Sequence, residues 1–419
     1  MSPTDPKSDS KGDPKVDPAK EAKAEAAKSA ARDHVLKLLK DSKLVVAVGS
    51  GGVGKTTTAA ALAIAAARTG KKAAVLTIDP ARRLAQALGV ESMGNTPQPL
   101  AAELTAPGSV DAMMLDAGAA LDEFVLRIVP DEDRRDRLFK NRLYQVIARH
   151  LGGTHEYMAV ERLHALVEES GYDIVVLDTP PTVNALQFLD APNRLAGFFS
   201  EKITRFFVKQ TEDKKKGIFE RIRDRAGDLA MQVLGKALGE GFVEELSDFA
   251  SAFQGLFVAI HDRAIAAEKI LRSSNTSFII VSAADPVRTA EAEEFLKTLR
   301  SLDIHPRAIL ANRVHTVKTR QGKDERGKDQ DDGVDVDPGQ VMAALAPIGR
   351  TDLAQVTWEA LQKARRQLSS LRKRDARGVA HLERLIGASR VLVVPELDDE
   401  VQDRAAVEHL LDGLGLRRS

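Results

Sequence analysis

The residues with the clearest capacity for chemistry form a glycine-rich stretch, GSGGVGKTT, that runs from Gly49 to Thr57. An apolar run precedes it and an alanine-rich helical pattern follows it, and the stretch satisfies the pattern G-x-x-x-x-G-K-[ST]. Glycines there let backbone N–H groups turn inward around phosphate oxygens, and a helix N-terminus adds partial positive charge. Because strand, loop and helix patterns occur together, we predict a nucleotide site rather than an inert turn. Its predicted contacts are Gly49, Ser50, Gly51, Gly52, Val53, Gly54, Lys55, Thr56 and Thr57.

Three further polar groups are predicted to act with this loop. Lys55 would reach the β- and γ-phosphates as a catalytic cation, and the Thr56 hydroxyl would ligate Mg²⁺. Asp178 ends the apolar run YDIVVLD and fits a carboxylate that faces Mg²⁺ through water, since doubly wound sheets bind ligands at the carboxyl ends of their strands. Asp79 follows another run and could orient the attacking water beside Mg²⁺, or it could cap a helix that begins at Pro80. Both interpretations of Asp79 stay open.

The nucleotide base is predicted to be adenine. No [NT]-K-x-D guanine signature follows a predicted strand, which favours ATP over GTP. Asn312, in the segment AILANRV, stands at a strand terminus, where its amide could pair with the adenine edge. An asparagine of a turn is an equally good interpretation.

These residues need a parallel sheet to bring them together. Seven short apolar runs alternate with helical patterns, which predicts strands buried on both faces and right-handed crossovers. The predicted fold is α/β, a doubly wound, mainly parallel sheet with an inserted all-helical subdomain. The seven runs are Leu44–Val48, Ala73–Ile78, Ala112–Leu115, Ile174–Leu177, Phe278–Val281, Ala308–Leu310 and Val391–Val394.

Composition divides the chain further. Residues 1–31 are predicted to be a disordered tail with helical tendency near Ala22–Ala31, because they contain almost nothing to bury. Residues 32–191 and 274–419 would form the nucleotide-binding domain, with a flexible charged loop at 318–339. Residues 192–273 read as helical throughout. Ten of the 14 phenylalanines lie between Phe188 and Phe257, so this segment is either a small core or a groove for an apolar helix.

The bulk composition excludes several classes of function. Lysine plus arginine equals aspartate plus glutamate, at 61 each, so no overall field favours nucleic acid. The chain has no cysteine, which excludes disulfides and thiolate metal sites and suggests a cytoplasmic protein. No secretory signal is expected from the polar N-terminus, and no run of about 18 apolar residues is present to span a membrane.

Together the motifs GSGGVGKTTTAAALA, TIDPARRLAQALG, GGTHEYMAVERL, DTPPTVNALQFLDAPNRL, ANRV and VPELDDEV resemble those of the ArsA-like ATPases. This family contains arsenite-pump and tail-anchored-protein-targeting ATPases and belongs to the deviant-Walker-A group. The resemblance implies that Asp79 positions the water and that Asp178 opens a second switch segment. It also implies that Asn312, Arg313 and Pro395 flank the adenine, and that dimers close on ATP with their nucleotide sites facing each other.

Two departures from the family pattern limit this comparison. Without cysteine the chain cannot carry the family's arsenite thiol site or zinc clasp. Ser50 stands where the family has a second lysine that crosses the dimer interface to the partner's phosphates, and Arg82 or Arg83 could substitute for that charge or could be solvated helix arginines.

The sequence therefore predicts an ATP-hydrolysing, Mg²⁺-dependent dimeric switch that opens and closes a helical subdomain for a hydrophobic segment or membrane-protein partner. The dimer would be a homodimer or a heterodimer with a paralogous subunit, and no nucleic acid is expected. The alternatives are an ATPase that energises a membrane transporter, a MinD-like positioning ATPase and a non-hydrolysing scaffold.

Overall fold

A computed structural model describes residues 18–79, 83–90, 93–141, 144–145, 154–180, 262–263, 265–316, 337–397 and 403–416. Arg82, a candidate substitute for the family's second lysine, lies outside these ranges. Most of the phenylalanine-rich segment 192–273 also lies outside them. Most of the predicted loop 318–339 does as well. No helix among the described residues is long and apolar enough to cross a membrane.

The described strands form one eight-stranded sheet in the order β3-β4-β2-β5-β1-β6-β7-β8. Every neighbouring pair is parallel except β3 and β4. This confirms the predicted α/β fold with a mainly parallel sheet. In chain order the strands are β1 Leu44–Val48, β2 Lys72–Thr77, β3 Gln98–Pro99, β4 Ser109–Met114, β5 Ile174–Asp178, β6 Thr276–Ala283, β7 Ala308–Val314 and β8 Val391–Pro395.

All seven predicted strands are present, with ends that differ by a few residues. Their apolar runs are continuous because helices cover both faces of the sheet, so most of the side chains of these strands are buried. The short edge strand β3 was not predicted, since two residues that include a proline give no apolar run.

The described helices divide between the two faces of the sheet. One face packs against α1, α2, α3 and α11, and the other against α5, α7, α8 and the C-terminal half of α10. The helices are α1 Pro18–Asp41, α2 Lys55–Arg68, α3 Arg83–Leu88, α4 Ala102–Thr105, α5 Ala117–Ile128, α6 Glu132–Lys140, α7 Thr154–His164, α8 Pro286–Ser301, α9 Pro338–Leu345, α10 Ala354–Ile386 and α11 Asp403–Gly413.

Two boundaries differ from those expected from composition. Helix α1 begins at Pro18, so the predicted tail boundary at residue 31 falls inside a helix, because the alanine-rich segment favours helix and Ala31 and Val35 are buried. Helix α9 begins at Pro338, inside the predicted loop, because the Asp337 carboxylate accepts a hydrogen bond from the Gln340 backbone N–H at 2.9 Å and caps the helix.

Candidate nucleotide site

The glycine-rich loop joins the buried strand β1 to the N-terminus of α2, as its sequence predicts. Helix α2 begins at Lys55, directly after Gly54, which has a φ of 91°. A side chain at Gly54 would be strained at this φ, and its Cβ would lie 2.3 Å from the Asn312 amide nitrogen. The loop is thus held close to β7, with the N-terminus of a 14-residue helix directed at the space above it.

Lys55 is buried against this loop, with 6% of its surface exposed. Its ammonium donates a hydrogen bond to the Ser50 carbonyl at 2.8 Å. Burial lowers the pKa of Lys55 to about 8, although Asp178 and Asp79 oppose the shift. A phosphate bound here would favour the charged ammonium, because an adjacent anion stabilises a buried cation.

Asp178 ends β5 beside β1 and is fully buried. One of its carboxylate oxygens, Oδ2, accepts hydrogen bonds from the hydroxyls of Thr56 at 2.8 Å and Thr77 at 2.9 Å. Burial raises the pKa of Asp178 to about 6, against the effect of these two hydrogen bonds and of Lys55.

The other oxygen of Asp178, Oδ1, is buried and has no hydrogen-bond partner in the described part of the chain. An unsatisfied carboxylate oxygen beside a loop hydroxyl fits a hard cation such as Mg²⁺, which binds through one or two carboxylates together with phosphates and water. The residues present therefore fit the cation that the sequence predicts.

Asp79 follows β2 at the same edge of the sheet, where it lies close enough to Lys55 and Asp178 to shift the pKa of both. Its backbone N–H donates to the Thr77 hydroxyl at 3.2 Å, and its carboxylate lies 3.9 Å from the Arg83 guanidinium. Residues 80–82 lie outside the described ranges, so the alternative role of Asp79 as a helix cap is not resolved. The predicted group Lys55, Thr56, Asp79 and Asp178 is brought together.

The predicted adenine contacts lie at the carboxyl ends of β7 and β8. The Asn312 amide donates to the Val53 carbonyl at 3.0 Å, so this side chain braces the phosphate loop. Arg313 is exposed with a φ of 56°, and Pro395 ends β8. Contact of these three residues with adenine stays a prediction.

Ser50 has a partner that the sequence did not reveal. Its side chain lies close enough to the Glu291 carboxylate on α8 to lower the pKa of that group, and the same carboxylate accepts a hydrogen bond from the Arg288 guanidinium at 2.8 Å. Burial acts to raise the pKa of Glu291, but the effects of Ser50 and Arg288 outweigh it, so the pKa lies below its ordinary value. The charge of Arg288 also reaches Lys55 and acts to lower its pKa. Because this contact depends on β6 lying beside β1, only the sheet order could have indicated it.

The chain is similar to known proteins over the region that contains this site. The family of sequences described as anion-transporting ATPases (ArsA ATPases) matches residues 42–331. ATPase get3 of Aspergillus terreus is 25% identical over 267 residues, which cover 64% of this chain and 71% of the fungal chain. ATPase GET3 of Malassezia globosa is 26% identical over 282 residues, which cover 66% of this chain and 73% of the Malassezia chain.

A third relative, described as an arsenical pump-driving ATPase of Halobacterium salinarum, is 31% identical over 170 residues. That match covers 38% of this chain and 25% of the archaeal one. The family match extends over more than half of the chain and includes the glycine-rich loop, Asp79 and Asp178. This chain therefore belongs to the ArsA family of anion-transporting ATPases, and it is an ATP-hydrolysing enzyme.

Proposed function

We propose that this ATPase is a Mg²⁺-dependent dimeric switch that couples its nucleotide state to the binding of a hydrophobic segment or membrane-protein partner. The observation that carries the proposal is the unsatisfied Asp178 oxygen beside Thr56 and the phosphate loop. It supports a site in which Asp178 senses both a cation and a terminal phosphate. The chain leads from Asp178 directly into the segment from residue 181 onward.

Each group has a role in this proposal. The N-terminus of α2 and Lys55 bind and orient the phosphates. Bound Mg²⁺ would neutralise charge on the terminal phosphates and would be held by Thr56 and Asp178. Asp79 would hold the attacking water, since its position beyond β2 places it on the phosphate side of the sheet.

The coupling to a partner begins at Asp178. Its neighbour Thr179 donates a hydrogen bond to the Ala47 carbonyl of β1 at 2.8 Å, so the end of β5 is tied to the strand that carries the phosphate loop. A change at the phosphates would thereby alter the start of the phenylalanine-rich segment 192–273, for which the resemblance to tail-anchored-protein-targeting ATPases implies a hydrophobic client. A cytoplasmic location stays a prediction from the absence of cysteine.

Two substitutions test the chemistry, measured as fluorescent-ATP binding and as phosphate release with and without Mg²⁺. Lys55→Ala should abolish nucleotide binding. Asp79→Asn should retain binding and lose hydrolysis at least a hundredfold, because it removes a group that acts in the transition state. Asp116→Asn is the matched control, since Asp116 caps α5 after β4, which two strands separate from β1 and its loop. Hydrolysis at the unmutated rate by Asp79→Asn would refute its assigned role.

The Asp79→Asn variant also tests the partner. Because it should hold ATP without hydrolysing it, affinity purification with ATP and Mg²⁺ should retain a partner that the Lys55→Ala variant loses. An ATPase that energises a transporter is the second candidate, favoured by the relative described as pump-driving. Recovery of a polytopic membrane protein, in place of a protein with one hydrophobic segment, would support this second candidate.

A further inference from the structure

Helix α10 extends far beyond the sheet that anchors it. Asp375, near its middle, accepts hydrogen bonds from the His315 backbone N–H at 3.0 Å and lies 2.7 Å from the His315 ring. His315 comes directly after β7, so this contact fixes residue 375 at the carboxyl edge of the sheet. The helix continues from there back to Ala354, and 21 residues of helix span about 30 Å. The N-terminal half of α10 therefore projects above the nucleotide edge.

The face of α10 that packs on the core continues into the projecting half. Positions seven residues apart share this face. Leu382 is fully buried against the core, whereas Leu368 is 39% exposed and Leu361 is 47% exposed. Eight large apolar side chains are exposed in the described part of the chain, and five of them lie on α9, α10 and the turn between these helices. These five are Met342, Ile348, Val356, Leu361 and Leu368.

We call the positions Leu361, Ala364, Leu368 and Leu371 the seam. Leucine and alanine at such heptad positions are typical of helices that pack against another helix. Ala364 is exposed and Leu371 is half-buried. An exposed apolar stripe of this kind indicates an interaction surface.

The seam is bordered by positive charge. Seven lysines and arginines lie between Lys363 and Arg377, and the one acidic residue there is the buried Asp375. Arg365 and Arg372 flank the seam at positions that face a partner helix in a heptad. The Nε of Arg372 is buried and has no hydrogen-bond partner among the described residues. At the foot of the projecting half, a cavity of ≈ 370 Å³ is lined by Lys373, Arg377 and the start of α8, among other residues.

We propose that the seam docks an amphipathic helix of a partner protein that carries acidic residues beside its apolar stripe. A single helix, about 10 Å wide, matches the width of the seam with its flanking cations. A flat bilayer does not fit, because the same face of α10 rests on the sheet from Asp375 to Leu382. A second copy of α10 does not fit either, because its lysines and arginines would repel those that border the seam. The proposal does not depend on the dimeric switch.

Trp358 is the chain's single tryptophan and lies three residues from Leu361, so its fluorescence reports on the seam. The probe is a peptide of four heptads with leucine at a and d and glutamate at e and g. Its matched control has lysine at e and g. The glutamate peptide should shift the Trp358 emission and bind at least tenfold more tightly than the lysine peptide.

Substitutions locate the binding. Leu361→Ser with Leu368→Ser should lower the affinity for the glutamate peptide at least tenfold. The control Leu126→Ser, at a leucine that is 50% exposed on α5, should leave that affinity unchanged. Arg365→Glu with Arg372→Glu should reverse the preference between the two peptides. The variant Leu361→Ser with Leu368→Ser should melt within about 2 °C of the unmutated protein, since both leucines are exposed.

Four results would overturn the proposal. These are equal binding of the two peptides, capture of the seam by phosphatidylserine vesicles, a dimer that Leu361→Ser with Leu368→Ser dissociates, and a large fall in melting temperature in that variant. The last would show that another part of the same chain covers the seam.

Discussion

Single hydroxyl groups orient the carboxylates of the phosphate site. The Thr77 hydroxyl donates to the Asp178 carboxylate at 2.9 Å and accepts from the backbone N–H of Asp79 at 3.2 Å, so it contacts both acidic residues. Removing a residue that orients a ligand in this way commonly lowers affinity or activity tenfold or more. Thr77 is therefore a positioning residue, which the sequence could not reveal because threonine at a strand end is common.

We expect Thr77→Val, which keeps the shape and removes the hydroxyl, to lower kcat about tenfold and to raise the Mg²⁺ concentration for half-maximal activity. ATP affinity without Mg²⁺ should change less than twofold, because Lys55 and the loop backbone are untouched. Thr69→Val is the matched control, since the Thr69 hydroxyl donates to the Ala66 carbonyl at the C-terminal end of α2, opposite the phosphate loop. An unchanged Mg²⁺ dependence would contradict this role.

The elements differ in how far the sequence predicts them. Seven strands could be predicted because strands buried on both faces have continuous apolar runs, and the loop could be predicted because its glycines, lysine and threonines are adjacent in sequence. A helix between the last two strands was predicted, but the extension of α10 beyond the sheet was not, since it depends on where Asp375 contacts His315. The contact of Ser50 with Glu291 was not predicted either, because it joins residues of two strand–helix units that only the sheet brings together.

Asp375 is the main polar anchor of α10. Substituting alanine would leave the His315 backbone N–H and the Arg374 guanidinium without their buried acceptor. We expect the free energy of unfolding to fall by about 3 kcal/mol. Asp337→Ala is the comparison, because it removes only the cap of α9 and should cost about 1 kcal/mol. Chemical denaturation measures both, and equal losses would show that Asp375 is no special anchor.

This anchor should also depend on pH. Burial acts to raise the pKa of Asp375, but hydrogen bonds from His315 and Arg374 outweigh it, so the folded pKa lies below the ordinary value of 3.8. An acid with a depressed folded pKa contributes its full stability above the unfolded pKa and loses it as pH falls through the folded pKa. The difference in unfolding free energy between the unmutated protein and Asp375→Ala should therefore be constant above about pH 5 and shrink below pH 4. A difference that grows in acid would contradict this sign.

In the whole molecule, the sheet order sets which helices meet at the nucleotide. Strand β1 lies between β5 and β6, so the phosphate loop has Asp178 on one side and α8 on the other. Strand β5 supplies the cation-binding carboxylate, and α8 supplies Glu291 and Arg288 next to Ser50. The proposed dimer would form across this edge, where the family's second lysine is replaced by a serine that α8 already engages.

This arrangement predicts the result of restoring the lysine. In Ser50→Lys the new ammonium would pair with Glu291 of its own chain, since the side chain at position 50 lies close enough to that carboxylate to lower its pKa. The single variant should therefore hydrolyse ATP within about threefold of the unmutated rate. Ser50→Lys with Glu291→Ala frees the lysine to reach a partner's phosphates, and a charge supplied across an interface can raise kcat by orders of magnitude. We expect at least a tenfold gain that increases with protein concentration.

Glu291→Ala alone is the matched control and should show no such gain, because it leaves position 50 uncharged. Steady-state phosphate release over a hundredfold range of protein concentration separates the cases. A tenfold gain in Ser50→Lys alone would mean that Glu291 does not hold the lysine. If the double variant is faster but its specific activity is the same at every concentration, the added charge acts within one chain and the proposed contact between facing nucleotide sites is wrong.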